Sequence, residues 1–455
     1  MKIIINLIIL FFGLTAVSVA EYSSPLEFRL YKKEATNTAP TILIIGGIQG
    51  DEPGGFNAAA LLATEYTITE GNLWVVPNLN FESIIKRSRG VHGDMNRKFS
   101  SLDSDDPEYE LVQKIKSIIQ DEQIDIVLNL HDGSGFYREK YIDKLHGPQR
   151  WGQSIIIDQE KIETHRYGEL MTLATQVSES VNAIIDNEGS RYRVRNTRTR
   201  EGDVEMEKTL TYFSIRNQKP AFGLEVSKEY RTHERAYYHL LLVESFMHKL
   251  GIRFERSFAL EKSSVKNVID NNVKLSINNG KIYMDVANAR RRLGYVPLEK
   301  SGSVDIDSES PLLAIVNDRK GYKVRYGNRH VTYLHPQYFE YDSSLEKVTL
   351  EVDGQPKTIE LGSMVTVENN FFVDPVPGYR VNVIGYRKAG VENEAGLLIR
   401  RKDIASRFSI DRKAKLFRLE FYKDKKYCGM LLLNFNKMKP AQVSSLSAPT
   451  GAYVD

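Results

Sequence analysis

From about residue 40 to 250, short apolar runs alternate with helix-like patterns, and no other feature constrains the fold as tightly. Thr41–Ile45 is a continuous strand-like run followed by Gly46-Gly47. Asn57–Tyr66 is rich in Ala and Leu and reads as a helix. Leu73–Val76 is a second run and Ile124–Leu130 a third, with Ala221–Val226 as a later short strand. Leu111, Val112, Ile115, Ile118 and Ile119 fall at i, i+1, i+4, i+7 and i+8, one face of an amphipathic helix. His165–Ile185 and Arg231–Leu250 read as longer helices. Strands alternating with helices predict an α/β domain, a mixed sheet flanked by helices. In such sheets ligands gather at the carboxyl ends of strands.

Past residue 252 the period changes to two. Val273, Leu275 and Ile277 alternate, Asn279-Gly280 turns, and Ile282, Met284 and Val286 alternate again, which predicts a hairpin. Val348, Leu350 and Val352 lead through Asp353-Gly354 to Ile359 and Leu361. Phe417, Leu419 and Phe421 are expected to pair with Met430–Leu433 across a charged turn. This half divides into two small, mostly β domains with a boundary near Tyr341–Ser344. The expected organisation is 1–20 signal peptide, 21–250 the α/β domain, 251–342 and 343–436 β domains, and 437–455 a Ser/Pro/Ala-rich disordered tail.

Charge and cysteine content narrow the function classes. Lys plus Arg is 62 and Asp plus Glu is 59, a net charge of +3, which lacks the basic excess of a dedicated nucleic-acid binder. The single cysteine, Cys428, excludes an intrachain disulfide and a cysteine-rich zinc fold. Lys2, the apolar stretch Ile3–Leu14 and Ser18-Val19-Ala20 read as a cleavable secretory signal. No later stretch is apolar and long enough to span a bilayer, so the expectation is an exported protein with no membrane span after cleavage.

Four segments carry chemistry. The first is Gly46-Gly47-Ile48-Gln49-Gly50-Asp51-Glu52-Pro53-Gly54-Gly55, between a buried strand and a helix. Its glycine spacing fits neither phosphate-binding pattern, and no Lys follows. The second, Asp125–Gly133, puts His131 at the carboxyl end of a buried strand. The third, Ala221–Val226, puts Glu225 near the end of another, where burial raises a carboxyl pKa toward that of a general base. The fourth holds Arg87-Ser88-Arg89 and Gly93-Asp94-Met95-Asn96-Arg97, whose guanidinium groups suit a carboxylate ligand and a developing oxyanion. Each has an ordinary reading alone: a turn, a structural His, an edge acid, a solvated basic loop.

Together, over residues 40–250, the four resemble the zinc carboxypeptidase family, the funnelins, and within it the branch whose first motif reads His-Gly-Asp-Glu-Pro. The resemblance implies Glu52 and His131 as metal ligands, Asn96 and Arg97 as a carboxylate-binding pair, and Glu225 as catalytic base. The first ligand, normally His, is Gln49 here. Gln49, export and two β domains after the catalytic domain look most like the peptidoglycan DL-carboxypeptidases that set helical cell shape. That group implies one Zn²⁺, a periplasmic location and a stem-peptide substrate. The group's enzymes trim L-Ala-γ-D-Glu-meso-diaminopimelate to its dipeptide. It also implies Arg89 at the oxyanion and Trp151 and Thr211 in the substrate pocket. A β-barrel-like and then an Ig-like sandwich domain are the expected forms of the β half.

A carboxamide is a poorer zinc donor than imidazole. Gln49 therefore keeps a second reading open, a catalytically silent peptidoglycan-binding scaffold. A third stays within the fold, another murein-peptide amidase or an acyl-amino-acid hydrolase. His233-Glu234 is not a zincin motif, because Tyr237 stands where its second His belongs. The basic run Arg191, Arg193, Arg195, Arg198 and Arg200 reads as a solvated loop or as a face toward an anionic substrate.

Overall fold

The protein is described by a computed structural model covering residues 26–35, 40–164, 166–271, 273–302, 304–306 and 310–436. The expected signal peptide and C-terminal tail lie outside the described residues.

The first body is built on a seven-stranded sheet. Its strands are β1 (Tyr31–Glu34), β2 (Thr41–Ile45), β3 (Asn72–Val76), β4 (Ile126–Gly133), β5 (Ser154–Ile157), β6 (Arg193–Asn196) and β7 (Ala221–Ser227). They lie in the order β1-β3-β2-β4-β7-β5-β6. The central strands β3, β2, β4 and β7 are parallel; β1 runs against β3, and β5 runs against β7 but parallel to β6. The sheet is therefore mixed. The chain goes from β2 to β3 on one side and reaches β4 on the other, so the strand order reverses between β2 and β4. Crevices open at such reversals, beyond the carboxyl ends of the strands.

The helices are α1 (Pro53–Glu65), α2 (Phe81–Lys86), α3 (Tyr109–Ile119), α4 (Leu170–Asn182), α5 (Leu210–Arg216), α6 (Thr232–Lys249) and α7 (Lys262–Asn271). In α3, Val112, Ile115 and Ile119 face inward, as the periodicity predicts. α1 starts at Pro53, four residues before the Ala/Leu pattern. Proline tolerates the first helical position because its missing N–H would have no partner there. Gly54 and Gly55 extend the helix because they fit where nothing larger does. A Cβ on Gly54 would lie 2.3 Å from Asp132 Oδ1, and one on Gly55 would lie 2.7 Å from the Leu130 carbonyl. α4 is shorter than the expected His165–Ile185. α7 adds Val265 and Ile269 to the first core, carrying it past residue 250.

The β half forms two further cores. Lys274–Ile277 and Ile282–Asp285 make the expected hairpin. Beside it stands a four-stranded sheet in the order Arg292–Glu299, Arg329–Phe339, Gly321–Tyr326, Leu313–Asp318. This middle core is continuous with Phe56, Phe81 and Ile84 of the first body and with Ile410, Tyr422 and Met430 of the last. The C-terminal part consists of two four-stranded sheets sharing one core, with Leu350, Phe371, Val381, Phe417 and Leu431 inside. Phe417↔Leu433 and Leu419↔Leu431 pair as their alternation predicts.

Candidate active site

Three side chains converge at the strand-order reversal. The β2–α1 loop supplies Gln49 and Glu52, and the end of β4 supplies His131. Glu52 is the residue just before α1 but makes no capping bond to it. Its side chain turns inward instead, and Oε2 accepts a bond from Asp132 N at 3.1 Å. His131 Nδ1 lies 3.0 Å from Glu52 Oε2 and 3.2 Å from Gln49 Oε1. Four-coordinate zinc with bonds of about 2.0–2.1 Å separates tetrahedral donors by about 3.3 Å, so the spacing of His131 Nδ1 from each of the two oxygens suits such an ion. Among the described residues no group of three His, Cys, Asp or Glu side chains could hold a metal. The third donor here is the Gln49 carboxamide.

Asp94 decides which end of that carboxamide faces the site. Gln49 Nε2 donates to Asp94 Oδ1 at 2.8 Å. A carboxylate only accepts, so the amide oxygen must point the other way, toward His131. Asp94 is itself held by Arg89, whose Nη2 and Nε lie 2.9 and 3.0 Å from Oδ2. Burial pushes the Asp94 carboxyl up, but the Gln49 bond and the Arg89 and Arg97 charges outweigh it and hold it below the usual range.

Glu225 stands beside this group. On β7 it is in register with His131 on β4, so the parallel ladder sets the two side by side. Its Oε2 is buried without a hydrogen-bond partner. A Cβ on residue 133 would come within 2.6 Å of that oxygen, so Gly133 makes room for it. Burial pushes the Glu225 carboxyl up to about 7, with His131 opposing and Glu52 and Asp132 adding to the rise. A bound dication would move it back down.

All nine residues singled out in the sequence line one cavity of about 260 Å³: Gln49, Glu52, Arg89, Asn96, Arg97, His131, Trp151, Thr211 and Glu225. Asn96 is buried, and its Oδ1 accepts from Leu210 N at 3.0 Å. That bond leaves the amide nitrogen for the cavity. Arg97 Nε is 3.7 Å from Glu205, which is largely exposed. Arg195, from the basic run, stacks over Trp151 at 3.8 Å.

Three contributors escaped the sequence reading. Lys228 lines the cavity 3.5 Å from Glu52 Oε1. Asp94 orients Gln49. Asp132 is fully buried and joins Gly54 N at 2.8 Å, Arg235 Nη1 at 2.8 Å and His239 Nε2 at 3.2 Å. It staples the start of α1 to the end of β4 and to α6. Asp132 and Asp94 sit inside the motifs already noticed, but no spacing rule pairs them with residues 107 and 45 positions away.

Residues 1–270 match the family profile described as the catalytic part of carboxypeptidases controlling helical cell shape. This chain belongs to that family. Residues 341–436 match a second profile, the C-terminal domain of metallo-carboxypeptidase. The chain is similar to the crystal structure of the apo cell shape determinant protein Csd4 from Helicobacter pylori. The two are 39% identical over 90% of this chain and 100% of that one, with a TM-score of 0.82. The tripeptide-bound form of the same protein matches with the same identity and coverage and a TM-score of 0.81. Its mDAP-bound form, described as a D,L-carboxypeptidase, matches at 39% identity over 89% of this chain and 100% of that one, with a TM-score of 0.82. No curated protein matches. No described helix is long and apolar enough to cross a membrane.

Proposed function

We propose that the chain is a zinc-dependent DL-carboxypeptidase that trims the murein tripeptide L-Ala-γ-D-Glu-meso-diaminopimelate to its dipeptide. The observation that carries this reading is the pairing of a half-buried carboxylate, Glu225, whose buried Oε2 has no hydrogen-bond partner, with the three-donor group Gln49, Glu52 and His131. A pure binding scaffold has no use for such a base, which disfavours the silent reading. Asn96-Arg97 favours a substrate with a free terminal carboxylate.

Gln49 Oε1, Glu52 Oε2 and His131 Nδ1 would hold one Zn²⁺. When bound, the ion supplies Lewis acidity toward the scissile carbonyl and its attacking water. Asn96 and Arg97 grip the terminal carboxylate of diaminopimelate and set the γ-glutamyl bond at the cavity floor. Trp151 and Thr211 close the walls around that residue. Glu225 takes a proton from water as its oxygen attacks the γ-glutamyl carbon. Arg89 lies 3.6 Å from Glu52 Oε1 and faces the negative charge that develops on the carbonyl oxygen. Glu225 then gives its proton to the departing amine, the C–N bond breaks, and dipeptide and diaminopimelate leave.

The reading extends to the whole chain as an exported periplasmic protein with a cleaved signal. Its first unit ends after α7, its middle unit is barrel-like, and its last unit is an Ig-like sandwich from about residue 343 to 436. Mass spectrometry of murein tripeptide incubated with the protein and zinc tests the activity. Release of diaminopimelate with the matching dipeptide is expected. An unchanged tripeptide in the presence of zinc-loaded, folded protein would restore the scaffold reading.

A further inference from the structure

Far along the chain from the catalytic cavity, the middle and C-terminal units enclose a second pocket, of about 240 Å³, that shares no residue with the first. Strand Arg292–Glu299 is bulged between Leu293 and Val296. In that bulge Tyr295 adopts φ +54°, a left-handed conformation disfavoured for a bulky side chain. Tyr295 is 68% exposed. The bulge is fixed from behind. Arg418 is buried, and its Nη1 donates to the Tyr295 carbonyl at 3.0 Å and its Nη2 to the Gly294 carbonyl at 2.9 Å. Glu420, 3.4 Å from Arg418 Nη1, balances that charge. Strained backbone persists only where its surroundings determine it, and it gathers at binding sites. Here a buried ion pair holds an aromatic ring out into water, which serves no packing purpose.

The surroundings of the ring are cationic. Arg290, Arg292, Arg407 and Arg418 line the pocket with Tyr295 and Phe408, and no carboxylate lines it. Among the described residues Arg418 alone of the four has a carboxylate within ion-pair distance. Arg290 is oriented by bonds to the carbonyls of Ser409 and Ser406 at 3.1 and 3.0 Å. Free guanidinium forks recognise carboxylates, and an exposed tyrosine face takes the apolar face of a ring. The pocket is smaller than the roughly 300–1,000 Å³ of sites that engulf a small molecule. It suits one group of a longer chain whose remainder stays outside.

We propose that this pocket is a second binding site for the cell-wall polymer, with a stem-peptide carboxylate on the arginines and a sugar ring on Tyr295. The identity of the polymer rests on the murein reading of the active site; the pocket and its anion chemistry do not. Such a site tethers the enzyme to its insoluble substrate and raises the local concentration of stem peptides at the catalytic cavity.

Two variants of the full chain test this. Arg292→Glu with Arg407→Glu reverses two exposed charges that have no carboxylate partner. Tyr295→Gly removes the ring and relieves the left-handed strain at once, so loss of folding does not explain its effect. Co-sedimentation with purified sacculi should weaken by about tenfold or more in the charge reversal, the size expected for a lost charge-assisted contact, and by about two- to tenfold in Tyr295→Gly, which loses a ring contact. Turnover of free soluble tripeptide should stay within twofold. Sacculi stripped of stem peptides should bind native protein more weakly and erase the effect of the charge reversal. Unchanged sedimentation in both variants overturns the proposal, as does an equal loss of tripeptide turnover. Loss of binding to polyglutamate with full retention on sacculi also overturns it and indicates an acidic protein segment instead. If native protein sediments with sacculi through this pocket yet leaves tripeptide intact, the catalytic reading fails and the second site stands.

Discussion

Replacing Asp94 tests the proposed role of Gln49 as a metal ligand. Asp94 Oδ1 takes the Gln49 amide at 2.8 Å, and Gln49 is 2% exposed, so this bond is sheltered from water. The Arg89–Asp94 pair is different: the Arg89 side chain is half exposed, and solvent discounts its contribution. The part-buried charge-assisted bond is worth about 1.5–3 kcal/mol. At about 1.4 kcal/mol per tenfold, that corresponds to roughly 10- to 100-fold in metal affinity, the range seen when a metal ligand loses its orienting partner. Asp94→Asn keeps an acceptor oxygen and should lie near the lower end. Asp94→Ala frees the amide to flip its nitrogen toward His131 and should lie near the upper end. Chelator competition for zinc at neutral pH, with circular dichroism to confirm folding, reads both. If both variants hold zinc as tightly as the native protein, the amide is oriented by something else, and the donor assignment at Gln49 loses its support.

Glu225→Gln should keep fold and metal but lose turnover by about 10²–10⁴-fold, measured as diaminopimelate release; an unchanged rate would falsify the assignment of the base. Arg97→Ala should weaken binding of free tripeptide by about 1.5–3 kcal/mol and leave a terminally amidated analogue almost unaffected, which paired titrations check. Gln49→His should bind zinc more tightly, since imidazole is the better donor. It should gain activity when zinc is limiting, with similar or lower turnover per bound metal at saturation. A rate series over zinc concentration after chelator competition separates the two. Asp132→Asn strips a buried carboxylate from Arg235 and His239 and should cost about 3–5 kcal/mol in urea unfolding; a loss under 1 kcal/mol would mean the staple is dispensable.

How much of this was legible in the sequence follows from where each signal is stored. The strands of the first body are continuous apolar runs because both faces of the sheet are covered, and such runs survive without tertiary knowledge. Gln49 and Glu52 stood out because they fall in a Gly-rich strand-to-helix loop, and His131 and Glu225 because they sit near the ends of buried strands. The start of α1 was not, since Pro53-Gly54-Gly55 has the composition of a turn. Only the close approach of Asp132 and Leu130 explains glycine there. α7 was missed because its apolar face consists mainly of Val265 and Ile269, too sparse to declare a period. The Asp94–Gln49 and Asp132–His239 bonds, and the four arginines around Tyr295, join residues far apart in the chain. Local patterning carries no record of such pairs.

At the proposed metal site, the same long-range pairs explain why a weak ligand is tolerable. Glu52 divides its two oxygens. Oε2 faces His131 at 3.0 Å, while Oε1 faces Arg89 at 3.6 Å and Lys228 at 3.5 Å. The cations therefore draw on the oxygen that does not join the donor group, and Oε2 is fixed by Asp132 N. Gln49 is fixed by Asp94, and Asp94 by Arg89. Two of the three donors, Glu52 and Gln49, are thus held by groups anchored at a strand end and in a salt bridge. Preorganisation lowers the ordering cost of binding, which offsets part of what a carboxamide concedes to imidazole. On this argument the scaffold around Gln49, rather than the donor itself, sets the metal affinity, and changes at Asp94 should matter as much as changes at Gln49.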